Sequence, residues 1–310
     1  MLARMDILVM GAGAVGGYFG TRLAQAGHGV AFVARGAQLD ALRSGGLRLQ
    51  STLGNAHLSP VEVVADPADV PPADLVLFTV KAQDGEDAAR RLAPAVGAET
   101  RVLTLQNGVE GVPLLERHFG KERTWGGVAY IEAFVTAPGE IRHKSPFARI
   151  VFGTLAAEDA RAREALDAFR GAGIDATLDP HPLQAVWRKW IMICAFSGVT
   201  ALTRRPIGEI VARDETRELL RRAVAEVADL AAASGVGLAA DVVDATMSLM
   251  SESFQPSMTS SLAQDLAAGR RLELEALNGA ASRLGRQLGV ATPVNDVIYA
   301  ALVLHAGGAA

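Results

Sequence analysis

A short apolar segment followed at once by a glycine-rich turn most constrains what this chain can fold into. Residues 7–10 predict a buried strand, and residues 18–27 show helical spacing that ends at a glycine. Between them lies the motif Gly11-Ala12-Gly13-Ala14-Val15-Gly16. Such glycines let the backbone turn sharply and approach a pyrophosphate, which the N–H groups of the following helix can bind. We interpret the motif as a dinucleotide-binding turn; the alternative is a strand–helix connection without a ligand.

The composition is that of an ordinary globular protein. A chain of 310 residues is long enough for two domains, and its net charge of −4 argues against a general nucleic-acid binder. No apolar stretch has the length of a transmembrane helix, and no leader segment is recognisable, so we expect a cytoplasmic protein without nucleic-acid or membrane partners. The single cysteine, Cys194, is interpreted as a small buried residue rather than a nucleophile, in a reducing compartment.

Arg35, at the end of the second predicted strand (residues 28–35), indicates which dinucleotide binds. Sites that prefer NAD carry an acidic residue about 20 positions after the glycines, where it binds the ribose 2′-hydroxyl. Here Arg35 stands 19 positions after Gly16. A guanidinium pairs with a 2′-phosphate, which a carboxylate would repel. We therefore expect NADP(H) as the cofactor; the alternative is an exposed arginine at a strand end.

Two more predicted strands end on polar residues. Residues 74–81 end at Lys81, and residues 101–109 contain Asn107. Because ligands of open α/β sheets collect at the carboxyl ends of strands, we expect Lys81 and Asn107 beside Arg35 and the glycine turn. For Lys81 alone, the alternative is a solvated side chain at a strand end.

The remaining segments predict an α/β protein of two domains. Strands are predicted over residues 125–135, 148–153 and 174–178, with a hairpin over 47–50 and 57–63, a turn at Pro138-Gly139 and a helix over 158–169. Later segments are helical, over residues 183–202, 214–234, 239–252, 258–286 and 293–305. We expect an N-terminal Rossmann-type doubly wound sheet, residues 1–179, followed by an all-α C-terminal domain, residues 180–310.

The first helix of the C-terminal half contains Lys189 between Trp187 and Trp190. A lysine in such a helix most often extends its amine to solvent. Partial burial would instead lower its pKa and suit it to proton transfer near neutrality. Ile193 and Ser197, four and eight residues later, lie on the same face of the helix.

A polar stripe is predicted on the long helix over residues 258–286. Ser261, Asp265 and Glu273 would share one of its faces. Such a stripe is usually the solvent-exposed side of a helix, and Asp265 with the nearby arginines could form a structural salt bridge. We therefore leave Asp265 out of the catalytic set.

In order, these motifs resemble those of the ketopantoate reductase family, within the 6-phosphogluconate-dehydrogenase-like superfamily. Beyond the glycine motif the resemblance rests on segments spread over nearly the whole chain: Val33-Ala34-Arg35-Gly36, Thr79-Val80-Lys81, Leu105-Gln106-Asn107-Gly108, Trp187-Arg188-Lys189, Ser261-Leu262-Ala263-Gln264-Asp265, Glu273, Asn278-Gly279 and Thr292-Pro293-Val294-Asn295. It implies NADPH-dependent reduction of a 2-oxo acid to a 2-hydroxy acid, with 2-dehydropantoate (ketopantoate) giving pantoate in pantothenate biosynthesis.

The resemblance also implies a role for each matched residue. Lys189 is the general acid that protonates the nascent alkoxide, and Glu273 holds Lys189, the substrate hydroxyl or the nicotinamide ribose in register. Asn107 bridges cofactor and substrate, Lys81 approaches the cofactor, and Ser261 binds the substrate carboxylate. No metal is implied.

Four positions depart from the family pattern. Ile193, Ser197 and Ile207 stand where the best-matched relatives have asparagine, and Met258 stands at a polar position. Unpaired substrate hydroxyls would cost about 1–3 kcal/mol each, so an alternative substrate is a more apolar 2-oxo acid or another carbonyl compound.

Two questions stay open at this level. A non-catalytic NADP-binding sensor is a third alternative, although a sensor needs neither Lys189 nor Glu273. The helical half could supply a homodimer interface, but internal packing explains its apolar faces equally well.

Overall fold

A computed structural model describes residues 4–156 and 159–308, which form two compact units. The first unit contains the chain up to Gln106 together with Gly111–Ala185. The second contains Asn107–Glu110 and the chain from Val186 onward. The segment Asn107–Glu110 therefore packs with the helical residues, although its neighbours in sequence belong to the first unit.

The first unit contains both strands and helices. Its described strands are β1 (Asp6–Met10), β2 (Gly29–Val33), β3 (Leu47–Ser51), β4 (Ala56–Leu58), β5 (Glu62–Val64), β6 (Leu75–Phe78), β7 (Arg101–Thr104), β8 (Thr124–Tyr130), β9 (Ala133–Ala137), β10 (Glu140–His143), β11 (Arg149–Thr154) and β12 (Asp175–Leu178). Its described helices are α1 (Ala14–Gln25), α2 (Gly36–Gly45), α3 (Gly85–Leu92), α4 (Gly111–Phe119) and α5 (Ala160–Gly171). Glu158, where the sequence predicts a helix to begin, lies outside the described residues.

The main sheet has the strand order β12-β11-β8-β7-β6-β1-β2-β5. Strand β1 pairs in parallel with β2 and β6, and β6 pairs in parallel with β7. Alternate side chains of β1 enter different cores: Ile7 and Val9 pack with residues of α1 and α2, whereas Leu8 and Met10 pack with residues of α3 and α4. Helices thus cover both faces of the sheet, and the predicted Rossmann-type doubly wound fold is confirmed.

Two strand predictions are wrong in detail, because the first unit contains a second sheet, with the order β4-β3-β10-β9. Of the predicted hairpin, only β4 pairs with β3; β5 instead joins the main sheet in parallel with β2. Pro60 lies between β4 and β5 and has no N–H to continue a ladder. The strand predicted over 125–135 is likewise divided between the two sheets, into β8 and β9.

The described part of the second unit is helical, as the sequence predicts. Its helices are α6 (Pro182–Thr203), α7 (Ile207–Val211), α8 (Asp214–Ala233), α9 (Val242–Ser248), α10 (Ser261–Ala267), α11 (Asn278–Leu288) and α12 (Pro293–Leu302). Helix α6 begins four residues before this unit does. The expectation that no apolar stretch has the length of a transmembrane helix is wrong for α6, whose length and apolar composition would allow it to cross a membrane. Of its apolar window, 72% is buried inside the protein.

The single helix predicted over residues 258–286 is wrong. Helix α10 ends at Ala267, and Gly269 follows with φ +63°. The Arg270 N–H donates to the Asp265 carbonyl (2.8 Å) and the Gly269 N–H to the Leu266 carbonyl (3.2 Å), which is a Schellman termination. Glu273 therefore lies in an irregular segment before α11, and it does not share a helix face with Ser261.

The start of helix α12 is capped by a side chain from another helix. Pro293 occupies its first turn, and the Thr292 hydroxyl before it bonds to the Asp296 side chain (3.2 Å) and makes no cap. Instead the buried carboxylate of Glu226, from α8, accepts the N–H groups of Val294 (2.8 Å) and Asn295 (2.9 Å). A carboxylate there satisfies the orphan donors and the positive end of the helix dipole.

Candidate active site

Two glycines of the GxGxxG turn are required by the packing of the protein itself. Gly11 has φ +109°, and a Cβ there would lie 2.8 Å from the Val80 backbone nitrogen. A Cβ on Gly16 would collide with the Gly11 carbonyl and the Thr79 hydroxyl. Only glycine fits these positions, because the turn at Gly11 lies against the Thr79-Val80 backbone, and the start of α1 at Gly16 lies against the Gly11 carbonyl and the Thr79 side chain.

Gly13 is different, because a Cβ there would meet no atom within 4 Å. Gly13 is the N-cap of α1, where no side chain caps the helix and no acidic residue occupies the first turn. The free N–H groups and the positive dipole end of α1 are thus left accessible. This turn fits an anionic pyrophosphate, for which a glycine at position 13 leaves room.

Neighbouring side chains hold the turn in place. The Thr79 hydroxyl donates to the Gly11 carbonyl (2.9 Å), and the Gln38 side-chain amide donates to the Ala12 carbonyl (2.8 Å). Gln38 is fixed in turn by the Gly139 N–H, which donates to its Oε1 (2.9 Å). No sequence pattern indicates these roles of Thr79 and Gln38, because both side chains bond to backbone atoms that only the folded chain brings near.

Arg35 and Lys81 lie in the first unit at the carboxyl ends of β2 and β6. Arg35 precedes α2 and forms an ion pair with Asp84 (Nη2–Oδ2, 3.2 Å). Asp84 closes the 3₁₀ turn that follows Lys81, and its N–H donates to the Lys81 carbonyl (2.9 Å). The Gln106 side chain supports this segment by donating to the Val80 carbonyl (2.9 Å). The structure thus brings Arg35 to the turn that carries Lys81.

Lys189 and Asn107 meet in the second unit. The Lys189 ammonium donates to Asn107 Oδ1 over 2.8 Å. Burial lowers the pKa of Lys189 from 10.5 to about 8, and the negative charge of Glu273 opposes this shift. An amine with such a pKa can both hold and release a proton near neutrality.

The segments that carry Lys189, Asn107 and Glu273 lie close together at the carbonyl of Ala276. Trp190, next to Lys189, donates its indole N–H to that carbonyl (3.1 Å). Gly108, next to Asn107, has φ +94°, and a Cβ there would lie 2.9 Å from the same oxygen. Ala276 itself follows Glu273 by three residues. Helix α6 is therefore bonded to this oxygen through Trp190, and the Asn107–Glu110 segment packs close to it at Gly108.

An ion-pair cluster also fixes the Asn107–Glu110 segment. Arg283, from α11, pairs with Glu110 (2.9 Å) and with Glu275 (2.7 Å). Glu275 also accepts a hydrogen bond from the Tyr299 hydroxyl (2.6 Å). Sequence spacing could not indicate this cluster, since Glu110 and Arg283 are 173 residues apart.

Ser261 is exposed as the first residue of α10. Its neighbour Ser260 caps that helix by accepting the Ala263 N–H (3.1 Å), and Ser260 also accepts a hydrogen bond from the Thr200 hydroxyl (2.8 Å). Asp265 forms an ion pair with Arg270 (2.7 Å), so the expected structural salt bridge is confirmed.

The positions that depart from the family pattern differ in exposure. Ser197 and Ile207 are buried, at 4% and 1% exposure, whereas Ile193 and Met258 are half-buried. The Ile207 N–H donates to the Met258 carbonyl (2.9 Å), which joins the start of α7 to the loop before α10. Cys194 is fully buried and burial raises the pKa of its thiol, so its interpretation as a buried structural residue is confirmed.

Comparison with known proteins identifies the family of this chain. The model of ketopantoate reductase PanE/ApbA matches residues 7–157, and that of the ketopantoate reductase PanE/ApbA C terminal matches residues 183–305. The 2-dehydropantoate 2-reductase of Halobacterium salinarum is 32% identical over 94% of this chain and 95% of its own length. The chain belongs to the ketopantoate reductase family. The resemblance inferred from the sequence motifs is therefore confirmed.

Solved structures agree with this assignment. A ketopantoate reductase family structure from Ralstonia eutropha has a TM-score of 0.87 and 35% identity, and the match covers 97% of this chain and 98% of that one. A D-mandelate dehydrogenase solved with NADH and anilino(oxo)acetate has a TM-score of 0.89 at 22% identity, over 97% and 98% of the two chains, and shows the same fold. The ketopantoate reductase family consists of NAD(P)H-binding oxidoreductases that act on small molecules, so this chain is an oxidoreductase.

Proposed function

We propose that this member of the ketopantoate reductase family reduces 2-dehydropantoate to pantoate with NADPH. The observation that carries the proposal is the 2.8 Å hydrogen bond between Lys189 and Asn107, together with the pKa of about 8 that burial gives to Lys189. Reduction of a ketone needs a proton at the carbonyl oxygen. A partly buried lysine that can release its proton near neutrality is suited to supply it.

The first unit would hold the cofactor. Gly11–Gly16 and the N-terminus of α1 fit the pyrophosphate, since position 13 is open and the helix end is uncapped. Arg35 stands at the start of α2, whose first turn contains no acidic residue, and this favours a 2′-phosphate over a 2′-hydroxyl. Lys81 adds a second positive charge close by, in the turn that contains Asp84. Together these groups support NADP(H) as the cofactor.

The second unit would handle the proton. When the cofactor is bound, its nicotinamide would supply the hydride for the carbonyl carbon. The Lys189 ammonium polarises the ketone and donates its proton to the oxygen that becomes the hydroxyl. Lys189 is then a neutral amine that recovers a proton from water, and the negative charge of Glu273 favours that recovery. Asn107 orients the ammonium through its Oδ1, and Ser261 is the proposed partner of the substrate carboxylate.

A cofactor and substrate panel tests the proposal. The purified protein is assayed by NADPH or NADH consumption with 2-dehydropantoate, 2-oxoisovalerate and other 2-oxo acids. We expect the highest kcat/KM with 2-dehydropantoate and NADPH, and Arg35→Ala should weaken NADPH binding by about tenfold or more while changing NADH binding little. No turnover of any 2-oxo acid would contradict the proposal. Equal effects of Arg35→Ala on both nucleotides would contradict the choice of NADP(H).

A more apolar 2-oxo acid is the second candidate substrate. Half-buried Ile193 lies on the face of α6 that also carries Lys189, and half-buried Met258 lies in the loop before α10. Apolar side chains at these positions would leave the hydroxyl of 2-dehydropantoate unpaired, at about 1–3 kcal/mol. A higher kcat/KM for 2-oxoisovalerate than for 2-dehydropantoate would support this substrate, and the reverse order would exclude it.

A further inference from the structure

Asp84 is placed to act on the same guanidinium that would bind a 2′-phosphate. Its Oδ2 lies 3.2 Å from Arg35 Nη2, and the side chains of Asp84 and Arg35 are 30% and 68% exposed. The backbone fixes Asp84, because it closes the 3₁₀ turn after Lys81 and is followed directly by α3. Its carboxylate does not cap α3, although it occupies the N-cap position. The carboxylate is thus held beside Arg35 by the fold.

A phosphate on Arg35 would have to share that guanidinium with a carboxylate. The phosphate and the Asp84 carboxylate are both negative. Because both would bind the same guanidinium, their charges would lie well within the screening length of about 8 Å at physiological ionic strength. The Arg35–Asp84 pair must therefore be loosened when a 2′-phosphate binds. A ribose 2′-hydroxyl carries no charge, so it meets no such repulsion and could donate a hydrogen bond to the carboxylate.

We propose that Asp84 sets how strongly the cofactor site discriminates between NADPH and NADH, by competing with the 2′-phosphate for Arg35. This inference rests on the proposed role of Arg35 in binding NADP(H). Arg35 favours the phosphorylated cofactor, and Asp84 partly cancels that preference. The chain therefore retains a measurable affinity for NADH that Arg35 alone would not predict.

Asp84→Asn tests the inference, because asparagine has nearly the same shape and no charge. The matched control is Asp87→Asn: Asp87 is three residues away, on α3, and pairs with Arg90 at the same distance of 3.2 Å. Dissociation constants for NADPH and NADH are measured without substrate, by nucleotide fluorescence, at low and high salt. Adenosine 2′,5′-bisphosphate and 5′-AMP serve as competitors that report on the adenosine end alone.

We expect Asp84→Asn to tighten NADPH and adenosine 2′,5′-bisphosphate about three- to fivefold at low salt, the size of effect that an exposed ion pair supports. The dissociation constants for NADH and 5′-AMP should change less than about twofold. Asp87→Asn should leave the preference for NADPH over NADH, and for adenosine 2′,5′-bisphosphate over 5′-AMP, unchanged. High salt should reduce the gain in NADPH affinity that Asp84→Asn produces. If the wild-type protein binds NADPH but Asp84→Asn binds it no more tightly, the inference about Asp84 is overturned and the proposed function stands. Failure of the wild-type protein to bind either nucleotide would overturn the proposed function together with it.

Discussion

The Lys189 ammonium lies 2.8 Å from the side-chain oxygen of Asn107, a residue 82 positions earlier in the sequence. An amide oxygen orients an ammonium without the full charge that a carboxylate would bring. Burial is therefore the dominant influence on the pKa of Lys189 and lowers it to about 8, while the negative charge of Glu273 makes the shift smaller. Lys189 can thus lose a proton during a reaction and regain it afterwards, which an ordinary surface lysine does poorly near neutrality.

The rate of reduction should fall with rising pH. The proton donor is the ammonium form of Lys189, which is lost as pH rises through about 8. We expect kcat/KM for 2-oxo-acid reduction to be level at lower pH and to decrease about tenfold per pH unit above that value, while the reverse oxidation increases over the same range. Steady-state profiles in both directions measure this. A level reduction profile from about pH 7 to about pH 10 would contradict the role of Lys189.

Replacing Lys189 by methionine should stabilise the protein. The pKa of Lys189 is about 8 in the folded state and near 10.5 unfolded, so the unfolded chain binds more protons between these values. The cost of burying the ammonium is thus full below about pH 8 and vanishes above about pH 10.5. We expect Lys189→Met to raise the free energy of unfolding by about 1–2 kcal/mol at pH 7, less than the shift alone implies, because part of the side chain reaches water and a hydrogen bond is lost.

Urea denaturation of Lys189→Met and wild type at several pH values measures that difference. The gain should shrink steadily as pH rises from about 8 towards 10.5, since other titrating groups cancel in the comparison. A methionine variant that is less stable than wild type at pH 7 would show that Lys189 is not a buried charge.

Gly13 and Gly11 should respond differently to alanine. Position 13 is open, so Gly13→Ala should change stability by less than about 0.5 kcal/mol yet weaken nucleotide binding about tenfold or more by filling the space of the pyrophosphate. Gly11→Ala should destabilise the fold by about 1–3 kcal/mol, because of its positive φ and its contact with Val80. Thermal denaturation and nucleotide titration of both variants measure this contrast. If Gly13→Ala bound NADPH as tightly as wild type, pyrophosphate binding at this turn would be contradicted.

The sequence predicts the parts of the fold that local patterns encode. The apolar segments of β1, β2, β6 and β7 and the helical spacing of α6 and α8 are visible in short windows, and both fold halves follow from them. Residues 57–63 are divided between two sheets, and this division depends on which distant strand each half pairs with. A short stretch of sequence therefore cannot reveal it. The break at Gly269 was visible as a glycine, but the polar periodicity of residues 258–286 continued across it and hid the helix end.

The candidate site was predictable only in part. Strand ends predict that Arg35, Lys81 and Asn107 lie together; the structure brings Arg35 to the turn that carries Lys81, but it assigns Asn107 to the second unit, where it bonds to Lys189. Lys189 and Glu273 are connected in sequence only through the family resemblance. The convergence on the Ala276 carbonyl had no sequence pattern, because Trp190 and Gly108 reach that atom from separate segments. The pairing of Asp84 with Arg35 was equally hidden, since a salt bridge between strand-end loops leaves no periodic trace.

The most direct test of Lys189 as the proton donor is the turnover of Lys189→Arg at saturating NADPH and 2-oxo acid. Arginine keeps the positive charge but holds its proton far above neutral pH. If Lys189 donates the proton, kcat should fall by about a hundredfold or more, while the dissociation constant for NADPH, measured by fluorescence, changes less than about threefold. A variant that retains kcat within a few fold of wild type would show that only a positive charge is needed, and would contradict proton donation by Lys189.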